Sequence, residues 1–102
     1  MRQFLIAIFA LALIVENVAL AQNIDNGRRI SERSCAACHA IDLPPAGKQV
    51  RVVSFTAIAE KPAMSADIIA SFLLRPHVTM PGLPLDRGEA QDVASFIMSL
   101  KK

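Results

Sequence analysis

The chain has 102 residues, 53% of them apolar, with 11 basic and 9 acidic side chains and a formal net charge of +2. That length fits one small domain, and so slight a charge surplus excludes the concentrated basic face of a nucleic-acid binder. Two cysteines three positions apart exclude a disulfide framework as the source of stability, because so short a loop restricts the unfolded chain very little.

The N-terminus reads as a targeting segment. Arg2 precedes an unbroken apolar run of 12 residues, Phe4 to Val15, which Glu16 closes. Ala19-Leu20-Ala21 then places small residues at the two positions a signal peptidase reads. This is the order of a secretory signal peptide, predicting a leader over 1–21 and a mature domain over 22–102, exported to the periplasm. A membrane span needs roughly 20 apolar residues, so no stable span is expected after cleavage. Retention as an uncleaved N-terminal anchor is the alternative. The leader takes Arg2 and Glu16 with it, leaving ten basic and eight acidic residues in an 81-residue domain. A domain of about 80 residues has a small core and usually needs a staple.

Four helices are predicted in the mature part. The first runs from about Gly27 to Ala37, with Asp25 or Asn26 as its cap. Pro44, Pro45 and Gly47 mark residues 40–53 as a loop. A short helix follows over 55–60, capped by Ser54 and ended before Pro62. The third spans 66–74, with Ser65 as cap, Asp67 favourable in the first turn, and Pro76 as the stop. Prolines 76, 81 and 84 make 75–86 a second loop. The last helix opens on Asp86 and Glu89, spaced as a capping box. Val93, Phe96, Ile97 and Leu100 then form one apolar stripe at i, i+3, i+4 and i+7. No strand-like alternation of useful length is present, so the fold class is all-α.

Cys35-Ala36-Ala37-Cys38-His39 carries the chemistry. C-x-x-C-H is the attachment pattern of c-type haem. Two thiols one helical turn apart lie on one side of the backbone, where each can add to a porphyrin vinyl group. His39 then supplies an imidazole to the iron, and the small Ala36 and Ala37 leave the porphyrin unobstructed. Two other uses of these residues fit less well. A redox C-x-x-C is usual at the start of a helix in a βαβ context, which is missing. A zinc site needs four ligands, and Cys35, Cys38, His39 and His77 would require the adjacent Cys38 and His39 to converge on one metal.

With that motif, the mature chain resembles a class I c-type cytochrome, a small bacterial mono-haem cytochrome c, over nearly all of 22–102. Gly27-Arg28-Arg29-Ile30, eight residues ahead of Cys35, is similar to that family's N-terminal helix. Phe96 in Asp92-Val93-Ala94-Ser95-Phe96-Ile97 matches the aromatic packed on the glycine where the first and last helices cross. Pro76-His77-Val78-Thr79-Met80-Pro81 resembles the segment that carries the distal methionine. The resemblance implies a cytochrome c-like fold, with about four short helices wrapped around one covalently bound haem c. It implies His39 as proximal and Met80 as distal iron ligand, with His77 as the alternative. Met64 and Met98 read as packing residues. Met/His ligation raises the iron's reduction potential, and Pro81 and Pro84 stiffen the loop around Met80.

The chain departs from the family in three places. Ser31 stands where an aromatic often borders the helix crossing. Val53 replaces a proline whose carbonyl accepts from the proximal histidine, leaving Val53, Pro44 and Pro45 as candidate acceptors. No Trp or Tyr is present to hold the haem propionates, and Arg51 is the candidate substitute.

The function implied is electron transfer by a soluble periplasmic carrier, not an enzyme. It would work as a monomer meeting donor and acceptor redox proteins in brief, small contacts. The alternatives are a haem-bearing subunit of a larger oxidoreductase complex, or a sensor or enzyme with a labile distal ligand.

Overall fold

The computed structural model describes residues 1–41, 52–75, 80 and 83–102, with the backbone alone described across 13–22. Among these residues all regular secondary structure is helical: α1 (Arg2–Ser34), α2 (Phe55–Ala59), α3 (Ala66–Leu73) and α4 (Arg87–Ser99).

α1 differs most from the sequence expectation. It is one helix of 33 residues that starts at Arg2, not near Gly27, and ends at Ser34, not Ala37. No glycine or proline stands between Arg2 and Asn26, so nothing in the sequence breaks the helix over that stretch. Asp25 and Asn26 are therefore interior residues with other partners. Asp25 lies 3.8 Å from Arg29 one turn on, and Asn26 donates to the Asp92 carboxylate at 2.7 Å. The side chains of α1 from Arg2 to Ala12 are all exposed, Phe4, Leu5, Ile6, Ile8 and Phe9 among them. Among the described residues no helix is long and apolar enough to cross a membrane.

The other starts follow their caps. Ser54 Oγ accepts from the Ala57 N–H and Ser65 Oγ from the Ile68 N–H, both at 3.2 Å. At α4 the full capping box forms: Glu89 N–H donates to Asp86 at 2.8 Å, and Asp86 N–H donates to Glu89 at 3.2 Å. Each such cap satisfies backbone donors that a helix start leaves open.

α4 is the hub and packs against α1, α2 and α3. Its apolar stripe supplies most of the core, with Ala90, Val93, Ala94 and Phe96 fully enclosed. The crossing with α1 is closest at Gly27. A Cβ there would collide with the Asp92 carbonyl and lie 2.9 Å from Phe96 Cβ, so only glycine lets the two backbones approach. Arg28 lies over the Phe96 ring, its guanidinium carbon 4.8 Å from the centroid. Ser31, in the place of an aromatic, is fully buried and donates to the Gly27 carbonyl at 2.7 Å. A small hydroxyl therefore fills the crossing without adding an unpaired polar group.

Candidate functional site

The end of α1 delivers the cysteine motif. Cys35 N–H and Ala36 N–H both donate to the Ser31 carbonyl, at 2.9 and 3.0 Å. Cys38 N–H and His39 N–H then both donate to the Cys35 carbonyl, at 3.1 and 2.9 Å. These bonds coil residues 35–39 tightly beyond the last helical turn. Cys35 is buried and Cys38 exposed, and the two thiols are unlinked. Burial pushes the Cys35 thiol up, and a hydrogen bond with Ser31 offsets part of that shift.

His39 is fixed from the other side. Its Nδ1 lies 2.7 Å from the Val53 carbonyl oxygen. A carbonyl only accepts, so Nδ1 carries the hydrogen and Nε2 keeps the lone pair a metal needs. Val53 is thus the acceptor among the three candidates, while Pro44 and Pro45 lie outside the described residues. The His39 ring also packs on Phe55, centroids 5.6 Å apart, and Phe55 meets Phe96 edge-on at 6.2 Å. Phe55 N–H donates to the Ala40 carbonyl at 2.9 Å. The start of α2 is therefore tied to the motif at two backbone points, one of which orients the imidazole.

These elements surround one open cleft holding about 780 Å³ of atom-free space, part of it in contact with solvent. Cys35, His39 and Met80 all line it, although Met80 is 41 positions beyond His39. Phe55, Ile58, Ile69, Leu73 and Ile97 supply apolar walls. Cys38 is not among the lining residues; it sits on the exposed outer side of the turn. The donor set suits a haem: a thiol, an imidazole with its second nitrogen committed, and a thioether, around a space for a flat apolar ring. Among the described residues no three His, Cys, Asp or Glu side chains gather as a set for a bare metal ion. Arg51 and His77 lie outside the described residues.

Several lining residues escaped the sequence reading, Met64 and Lys61 among them. Met64, read there as packing, is partly buried against the core and also lines the cleft, and Lys61 lines it as well. Neither carries a local signal. Ile68 and Phe72, also in the lining, are more than half exposed, and their i, i+4 apolar spacing on α3 could have marked that face.

Over 83 residues the chain is 41% identical to "Cytochrome c-552" of Bradyrhizobium diazoefficiens, an alignment covering 81% of this chain and 80% of that protein. No protein-family model matches the chain, and no solved structure matches it.

Proposed function

The chain belongs to the c-type cytochromes, electron-transfer proteins with covalently bound haem c, and from that premise we propose a mono-haem electron carrier whose iron is held by His39 and Met80. One observation carries the assignment: a single apolar cleft is lined by Cys35, His39 and Met80 together.

Cys35 and Cys38 would hold the porphyrin edge. Each S–H adds across a vinyl C=C, its hydrogen going to the neighbouring carbon, so nothing leaves and no oxidant is consumed. When bound, the haem supplies a one-electron ferric/ferrous couple. The protein's own part is positional. The Val53 carbonyl fixes the His39 ring and raises the basicity of Nε2. Phe55 braces the same ring. The apolar walls exclude water, and the neutral thioether of Met80 favours a higher potential. Residues 1–21 would serve as a cleaved export leader, placing the mature 22–102 domain in the periplasm. There it would exchange electrons with donor and acceptor proteins in transient contacts.

Ligand identity is tested with the oxidised protein. Its visible spectrum should contain the sulfur-to-iron charge-transfer absorption of methionine ligation. Met80→Ala should abolish that band, while Met64→Ala and His77→Ala should keep it. A parent spectrum without the band, or a band that survives Met80→Ala, contradicts the Met80 assignment.

A further inference from the structure

The turn joining α2 to α3 has an unusual backbone. Lys61 N–H donates to the Ile58 carbonyl at 3.2 Å, and Met64 N–H donates back to the Lys61 carbonyl at 3.2 Å. Pro62 and Ala63 occupy the two central positions, and Ala63 has φ 60°. That is the pattern of a type II turn, with proline first and a left-handed residue second. The second position ordinarily takes glycine, because a Cβ is strained there. Ala63 is the only non-glycine residue with positive φ among the described residues. The turn thus holds a strained conformation between two residues, Lys61 and Met64, that both line the cleft.

Lys61 is exposed and yet lines the cleft, which places it on the rim. It is the one Lys or Arg in the cleft lining among the described residues, and no carboxylate there pairs with it. An unpaired cation on the rim of an apolar cleft favours an anion at the adjacent edge of whatever fills that cleft. A haem carries two propionates on one edge. Burying those carboxylates without a partner is costly, so they belong at the rim and beside a cation. The chain has neither Trp nor Tyr to donate to them. Resting on the reading of the cleft as a haem site, we propose that Lys61, set by the strained Lys61–Met64 turn, is the cationic partner of a haem propionate.

Among the described residues, other ionisable groups close in sequence or packing to this rim are few. Glu60 precedes Lys61 and is exposed. His39 is committed to the Val53 carbonyl. Asp67, in the first turn of α3, accepts from Gln91 at 3.2 Å. The charges on α4 do not line the cleft.

The test is the reduction potential of the haem-loaded protein as a function of pH, with covalent haem measured separately by acid extraction. Lys61 raises the potential, because a cation disfavours the more positive ferric state. It also keeps the propionate ionised to lower pH. Lys61→Gln should lower the reduction equilibrium constant several-fold at neutral pH and move the pH-dependent segment of the curve to higher pH. Lys61→Arg should restore both, and Lys61→Glu should exaggerate both. A Lys61→Gln curve superimposable on the parent's, with haem fully attached, overturns the proposal; the same change produced by Arg51→Gln alone would move the role to Arg51. A parent protein that holds no covalent haem overturns the underlying reading of the cleft instead.

Discussion

Phe96 and Ile97 are neighbours on α4, both apolar and both enclosed to within 2% of full burial, yet they face different regions. Phe96 fills the crossing, where Gly27, Arg28 and the α1 backbone close over it. Ile97 forms part of a wall around a cleft the protein does not fill by itself. The crossing is protein against protein, complete once the chain has folded. The cleft has the same apolar character without a matching protein surface, so its packing partner has to be something else. A chain this small gains little from its own core, and a covalently held cofactor is the staple that completes it.

The largest break in this comparison is Cys35→Ala with Cys38→Ala. It should abolish covalent haem, read as complete extraction of haem into acidified organic solvent, and leave the cleft without a permanent occupant. At the crossing, Phe96→Ala should cost about 3–5 kcal/mol in denaturant unfolding of the haem-loaded protein, most of the stability of a marginal small domain. Gly27→Ala should cost about 1–3 kcal/mol by the same measurement, towards the upper end, because the new Cβ meets backbone at Asp92 and not a side chain that can move. Neither crossing variant removes a cleft ligand, so both should retain covalent haem where they fold. The smallest effect is Ala63→Gly. Relief of the positive φ is partly offset by glycine's greater freedom when unfolded, for a net gain of about 1 kcal/mol or less. Unchanged or reduced stability in that variant would mean the turn is not strained.

What was legible in the sequence was local. Ser54, Ser65 and the Asp86–Glu89 pair mark helix starts because a cap needs only a side-chain oxygen and a donor two or three residues away. The α4 stripe follows from helical periodicity, and Cys35-Ala36-Ala37-Cys38-His39 states its chemistry through spacing alone. Gly27 and Phe96 were legible through family resemblance, with no local pattern linking them. Three features were not legible for physical reasons. The beginning of α1 was missed because Asp25 and Asn26 look like caps, whereas their partners are Arg29 one turn on and Asp92 far along the chain. The acceptor for His39 could not be chosen, since every backbone carbonyl is chemically equal and only tertiary placement selects Val53. Lys61 and Met64 were hidden because the turn that sets them has alanine where glycine would have announced a left-handed residue.

The central claim is that the cleft holds a haem whose two axial positions are both taken by the protein. The most direct measurement is the visible spectrum of the reduced, periplasmically produced protein before and after carbon monoxide is added. A closed His39/Met80 shell predicts a c-type haem spectrum that carbon monoxide leaves unchanged. A spectrum that shifts would show an open or readily displaced distal position and contradict the carrier assignment.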